Sequence, residues 1–150
     1  MPVAMADFIK QMNAEAQRIG LKETYFINES GLDEGSVSGG YGSAIDVSKM
    51  MQYILANKPE IVEDTKYPSV DIKSLNATHT AKNTNTDIGA IPGLLASKTG
   101  YTTLAGGNLV VAFDASIGRP IIVVVLGSTE SGRFEDVSNL VKASLAYITE

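Results

Sequence analysis

The sequence contains no cysteine, which excludes disulfides, thiolate metal sites and cysteine nucleophiles together. It has a single histidine, His79, so a zinc site would need carboxylates for most of its ligands, and no His-Glu-x-x-His pattern occurs. Neither a metal nor a cofactor is expected. Basic charge is scarce: 12 Lys and Arg against 17 Asp and Glu give a net charge of −5. That balance argues against a broad phosphate-binding surface, and no nucleic acid partner is expected. The longest strongly apolar run, Pro120–Gly127, falls far short of the ~20 residues of a membrane-spanning helix. The opening Met1-Pro2-Val3-Ala4-Met5-Ala6-Asp7 lacks the basic region and long apolar stretch of a signal peptide. What is present, 150 residues with 44% hydrophobic and 19% charged, is the composition of an ordinary globular domain.

The hydrophobic spacing predicts an α+β organisation. Phe8, Ile9, Met12, Ala16 and Ile19 form one helical stripe over 6–19, with Gly20 placed to stop it in a left-handed turn. A polar, Gly-rich stretch from Asn28 to Gly42 reads as a surface loop. Ser43 and Asp46 have the spacing of a capping box before a second helix, with Ile45, Val47, Met50, Met51, Ile54 and Leu55 on its apolar face and its end near Asn57. Pro59 and Pro68 interrupt the following segment, where 70–72 and 75–80 read only as a small hairpin. Three strands are then expected, at 94–99, 108–114 and 120–126, the last two an antiparallel pair turning at Gly118. Because 121–126 is apolar at every position, the pattern places that strand in the centre of the sheet. Phe134, Val137, Leu140, Val141, Leu145 and Ile148 give a closing helix. The helical part thus spans about 5–60, and the sheet and last helix about 94–149.

Lys98-Thr99-Gly100 is the first chemistry-bearing stretch. Gly100 permits close approach of a ligand backbone, Tyr101 and Thr102 follow on a turn, and Ala105-Gly106-Gly107 brings no bulky side chain near it. Gly93-Leu94-Leu95-Ala96-Ser97-Lys98-Thr99 is not a phosphate loop, since Ser97 stands where Gly must precede the Lys and the spacing is one short. His79 has no Gly-x-Ser-x-Gly elbow to partner it and reads as a polar strand position.

Lys98-Thr99-Gly100-Tyr101-Thr102, with Ala105-Gly106 and Asn108-Leu109-Val110, resembles the third motif of the low-mass penicillin-binding D-alanyl-D-alanine carboxypeptidases. Phe8-Ile9, Met12-Asn13, Ala16, Gly20-Leu21, Thr24, Phe26, Gly31-Leu32-Asp33, Ser43-Ala44-Ile45-Asp46 and Asn83-Thr84-Asn85 resemble the same family in the same order. The resemblance implies part of a β-lactamase/transpeptidase-like fold: an antiparallel sheet of about three strands with flanking helices. It also implies a serine acyl-transfer chemistry that removes the terminal D-alanine of peptidoglycan stem peptides and is trapped by β-lactams. By resemblance, Lys98 would fix substrate electrostatically and Thr99 would hydrogen-bond the terminal carboxylate. Gly100 and Thr102 would line the same wall, and the Tyr101 N–H would be one of two oxyanion donors. Arg133 stands near the family's position for an Arg assisting that carboxylate; a solvated charge at a helix start is the competing reading. An extracytoplasmic location is likewise implied.

The departures matter as much. No serine has Lys three residues on, so the family's Ser-x-x-Lys nucleophile and base are absent. Ser74-Leu75-Asn76 fits Ser-x-Asn but lies in the wrong order and is read as a chance match. The chain therefore resembles the C-terminal portion of a larger catalytic domain, partial over 1–150, with the N-terminal strands of the sheet missing. It is expected to be inactive alone and to self-associate through an uncovered sheet edge. Two alternatives accompany this reading: a non-catalytic remnant that binds peptidoglycan or a partner through the Lys98 cleft, and a serine hydrolase of altered motif using Ser74 or Ser97.

Overall fold

A computed structural model describes residues 3–149; the ends of the expected 1–150 domain, residues 1, 2 and 150, lie outside them. Helix α1 runs Val3–Arg18 and stops at Gly20, whose φ of +80° is open to glycine at no steric cost. The Leu21 N–H reaches back to Ala16 O at 2.9 Å and the Gly20 N–H to Gln17 O at 3.0 Å, which closes the helix end. Of its apolar stripe only Ala16 is buried, while Phe8 remains 53% exposed. Asn13 ties the helix to the segment that follows, its amide donating to Phe26 O and accepting from the Phe26 N–H, both at 2.8 Å, and Arg18 reaches the Tyr53 hydroxyl at 2.6 Å.

Short strands β1 (Tyr25–Phe26) and β2 (Gly40–Tyr41) pair antiparallel. Helix α2 (Ala44–Asn57) starts at Ser43, whose hydroxyl accepts from the Asp46 N–H at 3.3 Å. Two 3-10 turns, Pro59–Ile61 and Glu63–Lys66, lead to the hairpin β3 (Ser69–Lys73) and β4 (Thr78–Lys82). A further 3-10 turn at Ile88–Ala90 precedes β5 (Leu94–Thr102), β6 (Gly106–Asp114), β7 (Pro120–Ser128) and α3 (Gly132–Thr149).

The last three strands form one antiparallel sheet in the order β5-β6-β7, and the period of two along them sorts the core into layers. Leu109, Val111, Phe113 and Val123 pack with Val137 and Val141 of α3. Val110, Ala112 and Ala96 pack on the opposite face with Met51 of α2 and with Val62. Phe113, Val111 and Ala112 are wholly buried, and each large side chain so buried stabilises the fold by about 1.5–3 kcal/mol. The sheet is thus sandwiched between α2 and α3, which leaves its β5 edge available to carry the Lys-Thr-Gly stretch.

The expected α+β class and three-stranded sheet are found, with five corrections. Tyr101 and Thr102 do not lie on a turn but continue β5, paired with Gly107 and Gly106, because two glycines opposite leave room for the ladder to run on. Strand β7 lies at an edge and β6 in the centre: the apolar run reports helices covering both faces, and says nothing of lateral neighbours. The hairpin's second strand begins at Thr78 rather than Leu75, because Ser74 turns the chain, its N–H bonding Ala77 O at 2.8 Å. The loop from Asn28 to Gly42 is no simple surface crossing, since Asn28 is 3% exposed. Its amide donates to Leu32 O at 2.9 Å and accepts from the Gly31 N–H at 2.8 Å, supplying inside the loop the partners that a ladder would otherwise provide. Finally, Asp46 forms only half of a capping box; its carboxylate turns instead to the Glu23 N–H at 2.6 Å and the Thr24 hydroxyl at 3.0 Å.

Candidate functional site

Strand β5 is fixed on one side by β6, with Lys98 opposite Val110, Thr99 opposite Leu109, Gly100 opposite Asn108, Tyr101 opposite Gly107 and Thr102 opposite Gly106. On its outer side the 3-10 turn at Glu63–Lys66 closes the edge at Ser97. The Ser97 N–H donates to Thr65 Oγ1 and the Ser97 hydroxyl to Thr65 O, each at 3.0 Å. Just beyond that clamp come Lys98, which is exposed, and Thr99, only 9% exposed. Neighbouring residues on a strand point to opposite faces, yet both line one groove of ≈ 200 Å³ together with Thr84, Lys82, Asn83 and Asp64. They share it because the groove runs along the strand edge. The Lys98 ammonium folds along that edge onto Thr99 O, and the Thr99 hydroxyl meets that of Thr84 at 2.5 Å.

Arg133, in the first turn of α3, reaches the same strand. Its Nη1 donates to Gly100 O at 2.6 Å, its guanidinium carbon sits 4.8 Å from the Phe134 ring centre, and the residue is 7% exposed. The reading of a solvated helix-start charge is therefore wrong: α3 carries the guanidinium into the sheet. Close packing permits this, because a Cβ on Gly107 would stand 2.1 Å from Thr129 O, so only glycine lets the strand pass under the start of α3. The Arg133 Nε is buried with no partner among the described residues. Lys98 and Arg133 thus each bring a cation to a backbone carbonyl of the same short segment of β5, Thr99 O and Gly100 O.

At the tip of the sheet Thr102 Oγ1 accepts from the Ala105 N–H at 3.1 Å, and Leu104 N–H donates to Asp33 Oδ2 at 3.0 Å. The Gly31-Leu32-Asp33 loop is thereby fastened to the turn that follows Tyr101. A second groove, ≈ 550 Å³ and lined by Phe26, Val47, Met50, Leu104 and Leu126 among others, carries no charged side chain.

The family model for D-alanyl-D-alanine carboxypeptidase matches residues 2–130. The chain belongs to the D-alanyl-D-alanine carboxypeptidase family. It is 34% identical over 136 residues to the Bacillus subtilis carboxypeptidase DacF, covering 89% of this chain and 34% of that relative. With DacA of Escherichia coli it shares 31% over 142 residues, 87% of this chain and 33% of the relative. The fold matches penicillin-binding protein D2 of Listeria monocytogenes, solved in an ampicillin-bound form, at 31% identity and a TM-score of 0.80 over 91% of this chain and 55% of that one. The chain therefore spans about a third of the length of the curated carboxypeptidases it matches, and its α+β architecture is that of the penicillin-binding proteins.

Within this carboxypeptidase-family fold the other serines have clear surroundings. Ser97 is 2% exposed, and its hydroxyl donates to Thr65 O at 3.0 Å. Ser74 stands on the exposed hairpin turn, 3.3 Å from His79 Nε2 and 3.2 Å from Ala77 O. Among the described residues no cluster of three or more His, Asp or Glu is placed to hold a metal, and no helix is long and apolar enough to cross a membrane. Sequence reasoning gave no role to Thr65, Thr84 or the Asp33–Leu104 tie. Only the Asn83-Thr84-Asn85 run, with an amide on each side of a hydroxyl, hinted at a built turn.

Proposed function

We propose that this chain forms the carboxylate-binding wall of a D-alanyl-D-alanine carboxypeptidase site, partial over 1–150, in an extracytoplasmic protein acting on peptidoglycan stem peptides. Lys98 attracts the substrate electrostatically, Thr99 and Arg133 address its terminal carboxylate, and Gly100 and Thr102 line the wall. The Tyr101 N–H donates to the oxyanion that forms when a serine oxygen adds to the penultimate carbonyl. That addition, loss of the terminal D-alanine and hydrolysis of the acyl-enzyme need a nucleophile and a base. This chain has no Ser-x-x-Lys, so by itself it binds and does not turn over; loss of a serine nucleophile costs on the order of 10⁶ in rate.

The observation that carries this reading is the 2.6 Å bond from Arg133 to Gly100 O, which brings a buried cation from α3 to the strand that holds Lys98 and Thr99. The test is intact mass before and after excess benzylpenicillin, together with titration of N-acetyl-D-alanyl-D-alanine. The mass is expected to stay unchanged, and peptide binding to saturate and to weaken in Lys98→Ala. One added drug mass on a single serine, or a titration indifferent to Lys98, overturns the proposal.

A further inference from the structure

The contact between Thr84 and Thr99, 2.5 Å between hydroxyl oxygens from residues 15 positions apart, has a direction to decide. A hydroxyl has one proton and two acceptor lone pairs, so in this pair one oxygen donates and the other accepts. If Thr99 donates to Thr84, it shows an incoming carboxylate lone pairs alone. If Thr84 donates, the Thr99 proton is left for the anion. A carboxylate selects the second arrangement, because each bond in the series Thr84 to Thr99 to carboxylate polarises the next.

Thr84 is held to this task by a small frame. The Asn83 amide donates to Thr65 O at 2.7 Å and Tyr67 O at 3.1 Å, and its Oδ1 accepts from the Asn85 N–H at 2.9 Å. Asn85, 2% exposed, accepts from the Asp87 N–H at 3.1 Å. The same Thr65 clamps Ser97, two residues before Thr99. The frame lies just past the β3–β4 ladder, which ends at Lys82. One turn thus fixes both the strand edge and the hydroxyl laid against Thr99.

We propose that Thr84 is a positioning residue: its hydroxyl holds the Thr99 side chain in one χ1 rotamer and, by donating to the Thr99 oxygen, leaves the Thr99 proton facing the terminal carboxylate of an acyl-D-alanyl-D-alanine ligand. This rests on the carboxylate-binding reading of β5. Thr84 is exposed, so Thr84→Val removes the hydroxyl without opening the core, and Thr84→Ser restores it.

The experiment measures three-bond couplings of the Thr99 γ-methyl by NMR in the wild-type chain and both variants. It then titrates each with N-acetyl-D-alanyl-D-alanine and with the same peptide ending in a carboxamide. Thr99 is expected to hold one rotamer in the wild type and in Thr84→Ser, and to average in Thr84→Val. Affinity for the carboxylate peptide should fall about five- to tenfold in Thr84→Val, the scale of one hydrogen bond, return in Thr84→Ser, and change less than about twofold for the carboxamide, a weaker acceptor. Unchanged couplings in Thr84→Val, or equal losses for both peptides, overturn the positioning role. Couplings that respond as expected in a chain that binds neither peptide overturn the carboxylate reading itself, and the facing of Thr99 toward an anion falls with it.

Discussion

Replacing Arg133 with Met separates a residue kept for binding from one kept for folding, because the structure places opposing contributions on one side chain. The substitution removes a charged hydrogen bond to Gly100 O at 2.6 Å, a loss of about 1.5–3 kcal/mol. It also removes the guanidinium from the Phe134 face, about 0.5–1 kcal/mol more. Against this, the buried Nε with no partner disappears, recovering about 1–3 kcal/mol, and Met keeps much of the apolar stem in place. The two sides close to within about 1.5 kcal/mol, which for a chain of this size moves Tm by less than about 6 °C. Ligand binding has no such compensation: the cation beside Gly100 is gone, and affinity for N-acetyl-D-alanyl-D-alanine should fall about tenfold or more. Urea unfolding and calorimetric titration on the same preparations read both quantities. A stability loss above about 3 kcal/mol with peptide affinity intact would make Arg133 a structural strut and contradict its part in binding.

Two further outcomes follow from the fold. Burial opposes the Asp46 charge, but the Glu23 N–H, the Thr24 hydroxyl, Lys49 and the Lys22 N–H together hold its carboxyl below the usual carboxylate range. A depressed folded pKa contributes stability that is complete above the unfolded value of roughly 4 and is lost as pH falls through the folded one. Asp46→Asn should therefore lower stability at neutral pH and flatten its decline in acid; parallel stability curves for the two proteins would contradict the linkage. Strand β7, Pro-Ile-Ile-Val-Val-Val-Leu-Gly-Ser, lies at the sheet edge and carries no charge, a template for pairing with another chain. Light scattering is expected to give a dimer or larger species that binds an apolar dye, and Leu126→Lys, at a half-exposed position of that strand, to shift it toward monomer. A monomeric wild-type chain with little dye binding would sink the idea.

The local elements were legible in the amino-acid order alone. The stripe ending at Gly20, the cap at Ser43 and the alternation of Leu109, Val111 and Phe113 each depend on forces that act within a few residues: propensity, capping and side-chain period. The same order also made the candidate site on β5 legible, because Lys98-Thr99-Gly100-Tyr101-Thr102 is contiguous and resembles the family's motif in its order along the chain. What comes to that strand from elsewhere in the chain depends on the assembled fold. Arg133 arrives from 33 residues away, Thr84 from 15, and Asp33 ties the neighbouring turn from 71. A hydrogen bond across such a gap leaves no periodic trace in either segment, since it requires only that packing bring two polar atoms within about 3 Å. Burial of Arg133 was illegible for the same reason, and so was the lateral place of β7. Hydropathy records how much water a face sees, whereas strand order is set by which backbone edges meet.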